Sequence, residues 1–416
     1  MYLHKHLVIL LTILCSTLSC CSYKDHQNIK TITRTLLAHH QPKLRRVNVD
    51  HYGANANGTD DSMAFIQAWD NACNSSDATE FVVPKNKVYH LKPITFSGPC
   101  NPKLRVKVYG TIKASSHKTD YEEDRRHWIV FEDLDNLVVE GGGTINGNGR
   151  IWWIKSCKVD QTQPCIGAPT AVTFTNCTNL RVNNIRIKNP QQMHLTFHNS
   201  RNVRASNLRI IAPAKSPNTD GIHITGSQSV RVINSIVKTG DDCVSIVDGS
   251  TNVVIRKITC GPGHGISIGS LGKNNSEDQV SNILVDQAIL SNTTNGVRIK
   301  SWQGGSGYAR NIRFENIIMH NVSNPIIVNQ NYCDRKEKCP EQYSAVQMQN
   351  LVYRNIKGTT NSEVAIKFDC SQTFPCKAIL MENIVLNREG DDQGDMKAAC
   401  SNVMLSTLGK VTPRCE

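Results

Sequence analysis

The stretch NTDGIHITGSQSVRVINSIVKTGDDCVSI, residues 218–246, decides the fold because a short pattern recurs in it. Asp220 and Asp242 each open a run in which aliphatic and polar residues alternate, and His264 opens a third such run. These positions follow one another at a constant interval of 22 residues, and a fourth run begins at Asn295 after a longer step of 31 residues. A regular step of this size predicts stacked coils, in which residues far apart in the chain become neighbours.

A second repeat extends this pattern over most of the chain. An asparagine precedes an aliphatic-x-aliphatic run at Asn136, Asn179, Asn202, Asn252, Asn282, Asn311 and Asn350. Short strands with Asn and Gly turns, and almost no helical periodicity, predict an all-β fold, namely a single-domain right-handed parallel β-helix (solenoid). Stacked Asn side chains would satisfy the turns. A β-sandwich is the rival fold, but it does not explain why polar motifs recur at one phase of the coil.

The first coil needs a cover, because an open solenoid end exposes apolar edges. We expect a strand over Val47–Tyr52, followed by an N-terminal capping helix that begins at Asp60 or Asp61. The apolar face of this helix would consist of Ala64, Phe65, Ala68, Trp69 and Ala72.

The N-terminal residues resemble an export signal. Residues 1–22 combine Lys5 with an apolar run over Leu7–Leu14 and small residues after it, which is typical of a secretory signal peptide. A membrane anchor is the alternative, but the apolar run is too short for one. Residues 23–46 are polar and basic and are expected to form a flexible leader, so that residues 47–416 form the β-helix domain.

The cysteines fit an exported protein with disulfide bonds. Of 16 cysteines, three fall in the predicted signal, which leaves 13. Nearness in sequence predicts the pairs Cys73–Cys100, Cys157–Cys165, Cys243–Cys260, Cys333–Cys339, Cys370–Cys376 and Cys400–Cys415. Cys177 would remain as a small buried residue. No spacing matches a zinc site, so we expect no metal and no cofactor. Asn-x-Ser/Thr sites, compatible with glycosylation, occur at Asn57, Asn74, Asn176, Asn274, Asn292 and Asn321.

The net charge of the chain indicates the kind of partner. Lys and Arg number 47 against 35 Asp and Glu, a formal charge of +12. For a secreted monomer, this excess suits an anionic extracellular partner such as an acidic polysaccharide. We expect no nucleic acid partner, and no membrane association of the mature chain.

Carboxylates and cations converge in the repeated stretch. Neighbouring coils lie about 4.8 Å apart, so Asp220 and Asp242 become neighbours, with Asp241 one residue away. Two carboxylates about 5 Å apart repel by roughly 3 kcal/mol, or about 2 pKa units, which would hold one of them protonated as a general acid requires. Arg298 and Lys300 share one face of a strand, opposite Ile299. Alone, each motif is more typical of a turn, a calcium ligand or a solvated face.

Together, four motifs resemble the polygalacturonases of glycoside hydrolase family 28, especially their plant branch. The motifs are Asn218-Thr219-Asp220, Gly240-Asp241-Asp242, Gly263-His264-Gly265 and Arg298-Ile299-Lys300. Trp152-Trp153 and Gln330-Asn331-Tyr332-Cys333 extend the resemblance, which runs from about Val47 to the C-terminus.

The resemblance implies hydrolysis of α-1,4-galacturonosyl bonds in pectin with inversion, by a catalytic domain over residues 47–416. Asp241 would protonate the leaving oxygen, Asp220 and Asp242 would activate water, and His264 would support the acid. Asn218 would orient this group. The substrate carboxylate would bind Arg298 and Lys300, a role that fixed cations suit independently.

Further residues complete the expected substrate site. Tyr332 would close the subsite, and Gly221 and Gly265, lacking side chains, would leave room for a sugar ring. We expect a secreted, cell-wall enzyme that cuts within the polymer. Four alternatives stay open: exo-action, hydrolysis of rhamnogalacturonan or xylogalacturonan, calcium-assisted pectate lyase chemistry, and a non-catalytic pectin-binding β-helix. The carboxylate separation that distinguishes inverting from retaining enzymes does not follow from sequence.

Overall fold

The computed structural model describes residues 44–335, 337, 339–390 and 396–415. Residues 46–416 form one compact unit. The predicted signal peptide, and the leader up to residue 43, lie outside the described residues. The first strand begins at Arg45, two residues before the predicted start of the domain.

Eleven parallel strands of the described chain form one sheet, called here the front sheet. Each strand pairs with the next one along the chain, so every coil adds one strand. Numbered in chain order through the whole protein, they are β4 (Ile94–Ser97), β7 (His127–Glu132), β10 (Thr170–Thr175), β13 (Leu195–His198), β16 (Ile222–Thr225), β18 (Val244–Ile246), β20 (Ile266–Leu271), β23 (Asn295–Trp302), β25 (Asn324–Tyr332), β27 (Val364–Asp369) and β29 (Lys397–Ser401).

The remaining described strands form a second parallel sheet, the back sheet. They are β1 (Arg45–Asn48), β2 (Thr79–Val83), β3 (Val88–Leu91), β5 (Leu104–Val108), β6 (Thr111–Ala114), β8 (Val138–Glu140), β9 (Thr144–Asn146), β11 (Arg181–Asn183), β12 (Arg186–Lys188), β14 (Arg201–Ser206), β15 (Arg209–Ile211), β17 (Gln228–Lys238), β19 (Thr251–Cys260), β21 (Glu277–Asp286), β22 (Ile289–Ser291), β24 (Ser306–His320), β26 (Gln347–Thr360), β28 (Cys376–Arg388) and β30 (Val403–Thr412). Because the chain alternates between the two sheets coil after coil, the predicted right-handed parallel β-helix is confirmed.

Helices are few and short. They are α1 (Ser62–Cys73), α2 (Arg150–Trp153) and the 3₁₀ turns Val49–Tyr52, Lys118–Tyr121 and Lys273–Asn275. None of the helices in the described ranges is long and apolar enough to cross a membrane. The predicted strand over Val47–Tyr52 is wrong beyond Asn48, where Asn48 accepts a hydrogen bond from the backbone N–H of Asp50 and starts a 3₁₀ turn.

The capping helix α1 covers the first coil as predicted. Its five predicted apolar residues are all buried, and Trp69 packs against Phe96 of the front sheet at 4.9 Å between ring centroids. The carboxylate of Asp60 accepts from the N–H of Ser62 at the start of the helix. Asp61 precedes the helix without capping it by its side chain, because its carboxylate binds the N–H groups of Asn55 and His90.

The core runs along the solenoid axis as stacks of equivalent side chains. Phe131, Phe174 and Phe197 occupy paired positions on β7, β10 and β13. Their rings stack with centroid separations of 5.0 and 5.8 Å. Coil-to-coil register therefore sets both the packing inside and the order of side chains outside.

Asparagine ladders hold the turns in line, as predicted. One ladder consists of Asn252, Asn282, Asn311 and Asn350, in which the side-chain amide of each of the last three donates to the side-chain oxygen of the preceding Asn. All four have φ between 55° and 59°. Asn tolerates this left-handed conformation better than other residues with side chains, so it serves both the turn and the ladder.

Disulfide bonds join the six cysteine pairs predicted from sequence. Cys177 is free and buried, also as predicted. Cys243–Cys260 lies in the core beside the front sheet, whereas Cys157–Cys165 and Cys333–Cys339 each close a loop.

Candidate active site

The strand register brings the repeated motifs to one phase of the coil. Ile222, Val244, Ile266 and Val297 pair in succession across β16, β18, β20 and β23. Asp220, Asp242, His264 and Asn295 each stand two residues earlier and therefore line up along the solenoid. The expectation drawn from the 22-residue interval is correct.

Asp242 is the most heavily paired of the three aspartates. Its side chain is 3% exposed, and Ser267 donates to its Oδ1 at 2.8 Å. Arg298 Nη2 donates to Oδ1 at 3.0 Å and Lys300 Nζ to Oδ2 at 3.2 Å. Arg298 and Lys300 do point together, as predicted, and in this structure both bind Asp242.

Asp241 forms a pair with His264. The two side chains meet at 3.0 Å, between Asp241 Oδ1 and His264 Nδ1, and Asn218 donates to Oδ2 at 3.4 Å. Burial alone would raise the pKa of Asp241, but the hydrogen bond and charge of His264 and the charge of Lys300 outweigh it, so this pKa is lowered. The same hydrogen bond raises the pKa of His264 against the opposing effect of burial. Both shifts favour an imidazolium–carboxylate pair.

The pKa of Asp220 is shifted in the opposite direction to that of Asp241. It is 8% exposed, and Ser245 donates to its Oδ2 at 2.8 Å. Burial, followed by the charges of Asp241 and Asp242, raises its pKa well above the ordinary value. The repulsion expected from the sequence therefore contributes, after burial, to the raised pKa of Asp220, whereas the pKa of Asp241 is lowered.

Two serines outside the four motifs hold the aspartates. Ser245 and Ser267 pair with each other across β18 and β20, and each donates to an aspartate of an earlier coil. His223 contacts Ser245 at 2.8 Å, and Arg298 Nε donates to Ser267 at 3.1 Å. Their alternation with buried aliphatic residues was the signal for the face, but it could not identify their partners.

Two glycines of the motifs lie where neighbouring coils pack closely. A Cβ on Gly265, which has φ 85°, would collide with the backbone oxygens of Asn295 and Gly296 in the next coil. A Cβ on Gly221 would meet Val237 and the backbone of Cys243. Both glycines therefore permit close contact between coils, and the room that they would leave for a sugar ring stays a prediction.

Tyr332 lies at the end of β25, beside the cations. Lys300 Nζ is 5.4 Å from the centre of its ring, and Trp302 packs edge-on against it at 5.2 Å. Burial raises the pKa of the Tyr332 hydroxyl to about 12, so the ring stays neutral next to Lys300. We call Asp220, Asp241, Asp242, His264, Arg298 and Lys300 the aspartate centre.

Two loops, one at the N-terminal ends and one at the C-terminal ends of the front-sheet strands, meet over the outer face of the sheet. The loop closed by Cys157–Cys165 precedes β10, and the loop closed by Cys333–Cys339 follows β25. Lys158 Nζ lies 2.8 Å from both carboxylate oxygens of Asp334. Because the inner face of the sheet is the packed core, this ion pair crosses the outer face, which carries the aspartate centre.

Cation binding is a further chemical possibility of the centre. Ligand atoms of Asp241, Asp242 and His264 all lie within 4.8 Å of one another, close enough for one metal ion. Asp242 is already neutralised by Arg298 and Lys300, which lowers the affinity of this set for a divalent cation.

The fold and the site together define a parallel β-helix whose front sheet carries a cluster of aspartates, one histidine and two cations. The sequence model of the family described as "Glycosyl hydrolases family 28" matches residues 73–411. This chain belongs to glycosyl hydrolase family 28, as the motifs indicated.

Known relatives agree with this assignment. The chain is 59% identical to Polygalacturonase QRT2 of Arabidopsis thaliana over 372 residues, which is 89% of this chain and 84% of the relative. It is 56% identical to Polygalacturonase-2 of Solanum lycopersicum over 373 residues, covering 89% and 81% of the two chains. The fold is similar to that of the polygalacturonase from Erwinia carotovora ssp. carotovora, with a TM-score of 0.72 at 22% identity, covering 88% and 97% of the two chains.

Proposed function

We propose that this protein is a secreted polygalacturonase that hydrolyses α-1,4-galacturonosyl bonds of pectin with inversion and acts within the polymer. Membership of family 28 and the two plant relatives named polygalacturonase support the reaction and the substrate. Six disulfide bonds support secretion to the cell wall, because structural disulfides persist in oxidising compartments.

The observation that carries the proposal is the arrangement of two cations around one buried aspartate. Arg298 and Lys300 are 14% and 11% exposed and are fixed by Asp242 at 3.0 and 3.2 Å. Arg298 still has donors beyond those used on Ser267 and Asp242, and the face of Tyr332 lies beside Lys300. A galacturonate carboxylate can share these cations with Asp242, so the acidic sugar would be bound next to the aspartates.

Asp241 is proposed as the general acid, with His264 as the source of its proton. In the free protein the raised pKa of His264 and the lowered pKa of Asp241 favour the proton of this pair on His264, whose Nδ1 lies 3.0 Å from Asp241 Oδ1. A bound galacturonate adds negative charge to the centre, which raises the pKa of Asp241. The proton can then pass along the hydrogen bond to Asp241 and on to the leaving glycosidic oxygen, as the bond from that oxygen to C1 breaks.

Asp220 and Asp242 are proposed to activate the attacking water. Both accept serine hydroxyl hydrogen bonds, at 2.8 Å each, which hold their remaining oxygens in place. Water forms the new bond to C1 while its proton goes to a carboxylate of this pair. Asp220 must be ionised to take that proton, so its raised pKa predicts that activity decreases at acidic pH.

Action within the polymer is supported by open space on both sides of the centre. A cleft begins at Asn218, on the N-terminal side, and a cavity extends from Asn331 and Asp369 on the C-terminal side. A chain bound across the centre could therefore continue in both directions, as cleavage at interior bonds requires.

The test is to incubate the purified protein with polygalacturonate in the presence of a chelator and to size the products over time. A rapid fall in polymer length with reducing ends and no unsaturated, ultraviolet-absorbing product is expected. The anomeric form of the first product, read by NMR, reports inversion. Release of monomer alone would contradict interior cleavage, and chelator-sensitive formation of an unsaturated product would contradict hydrolysis.

A further inference from the structure

The cleft on the N-terminal side of the aspartate centre has no part in the chemistry described so far. Lys118, Arg125, Trp152, Trp153 and Lys155 line it, and Asn218 lies at its end nearest the centre. We call it the tryptophan cleft. Asn218 also donates to Asp241 at 3.4 Å, so the cleft opens directly beside the proposed acid.

Cations outnumber acids in the lining of the tryptophan cleft. Within the described chain, no carboxylate forms an ion pair with Lys118, Arg125 or Lys155. Glu122 is the one acid among the described residues that line the cleft. Burial, together with the nearby charge of Lys155, lowers the pKa of Lys118. Uncompensated cations in a concave site repel one another and favour an anionic ligand.

The floor of the cleft is aromatic and fixed. Trp152 is 8% exposed, packs edge-on against Tyr121 at 5.4 Å, and has the ammonium group of Lys118 at 4.8 Å from its ring. Trp153 donates its indole N–H to the backbone oxygen of Pro190 at 3.0 Å, which fixes its orientation. A rigid aromatic surface next to cations matches a sugar that has both an apolar ring face and a carboxylate.

We propose that the tryptophan cleft is a second anionic-sugar subsite, in which Lys118, Arg125 and Lys155 bind the carboxylate of a galacturonate unit remote from the bond that is cut. This inference rests on the proposed function for the identity of the sugar. Binding energy from a remote unit would hold the polymer in register over Asp241, so the cleft would favour long, unesterified substrates over short ones.

The test uses the double variant Lys118→Met/Lys155→Met, which keeps the length of both side chains and removes both charges. The matched control is Lys103→Met/Lys377→Met, at two exposed lysines outside the cleft. For the cleft variant we expect kcat/KM on polygalacturonate to fall about tenfold, mainly through KM, while kcat/KM on the shortest oligomer cleaved changes less than about twofold. The control pair should resemble the parent on both substrates.

Binding is measured separately by calorimetry with polygalacturonate, in the Asp241→Asn background, where cleavage does not interfere. Removal of the two cleft charges should raise Kd about tenfold and should make Kd less dependent on salt. Unchanged binding, or equal weakening in the control pair, would overturn the subsite. A parent chain that binds the polymer through these lysines without cleaving it would instead overturn the proposed function. Circular dichroism of each variant verifies folding.

Discussion

The aspartate centre and the tryptophan cleft hold similar cations in opposite states of pairing. In the centre, Arg298 and Lys300 are both bound to Asp242. In the cleft, Lys118 and Lys155 have no carboxylate partner among the described residues. Paired charges are fixed before substrate arrives, which suits chemistry, whereas unpaired ones gain their partner only from a ligand, which suits binding. Changes to the aspartates of the centre should therefore reduce kcat, and changes to the lysines of the cleft should raise KM.

The cavity on the C-terminal side of the centre differs from the cleft in the sign of its charges. Its described lining includes Glu337, Glu341 and Asp369 against the single cation Arg335. Arg335 lies over the ring of Trp302 at 5.6 Å. A polyanion is attracted on one side of the centre and less so on the other, so the polymer is held asymmetrically.

The largest expected effect is that of Asp241→Asn on kcat. The amide keeps the shape of the side chain but cannot deliver a proton, so kcat on polygalacturonate should fall by about 10³-fold, with KM nearly unchanged. Steady-state kinetics on the polymer measure this. Asp77→Asn, at an exposed carboxylate away from the centre, is the control and should match the parent. Undiminished release of reducing ends would falsify the role proposed for Asp241.

The part of the aspartate centre that could be predicted from the sequence is the part that follows its periodicity. Asp220, Asp242 and His264 could be aligned because each lies two residues before a paired aliphatic residue of its strand, and the interval of 22 residues reports that directly. The face of Ser245 followed from alternation for the same reason. Its bond to Asp220 did not, because alternation does not say how far a side chain reaches across coils.

Irregular segments carried no comparable signal. Lys118 begins a 3₁₀ turn and Lys155 follows α2, both outside the repeated strands, so no periodicity indicated that they share one cleft. Lys158 and Asp334 are 176 residues apart and belong to different loops. The close packing of Gly265 against the next coil depends on its backbone φ of 85°, which the residue type alone does not specify. The repeats therefore predicted the solenoid and its centre, whereas the residues that form the walls of the groove could not be predicted from them.

A second effect concerns the proton on His264. Its raised pKa means that the imidazolium is present below that pKa and is lost as pH rises through it, so activity should decrease on the alkaline side. His264→Gln retains a hydrogen-bond donor but carries no titratable proton. We expect a fall of roughly 10²-fold in kcat, together with loss of that alkaline decrease. The pH–rate profile of kcat measures both, and an unchanged alkaline limb in the variant would contradict the assignment.

A third effect separates stability from activity at Asp220. Its pKa is raised in the folded protein, so the stability it contributes is complete below its unfolded pKa and is lost as pH rises through the folded value. Asn cannot ionise, so Asp220→Asn should raise Tm at pH 7 by on the order of 2–4 °C, and this gain should vanish toward pH 4. Calorimetric Tm across pH measures the gain, and Asp77→Asn should show none.

The smallest expected effect concerns the ion pair that crosses the groove. Lys158 and Asp334 are 43% and 50% exposed, and a pair of this kind contributes only about 0.2–1 kcal/mol. If it restricts entry of a long polymer, breaking it from either side should raise kcat/KM on polygalacturonate by roughly two- to threefold and leave short oligomers unaffected.

Single variants at the two ends of this pair separate restricted entry from simple charge. Lys158→Met removes a cation and Asp334→Asn removes an anion, so a purely electrostatic effect on a polyanion would change kcat/KM in opposite directions. An effect on entry changes it in the same direction in both variants, and high salt should reproduce it in the parent by screening the pair. The exchange Lys158→Asp/Asp334→Lys restores an ion pair with reversed charges and should return the parent rate. Opposite changes in the single variants would mean that the two loops do not control entry to the groove.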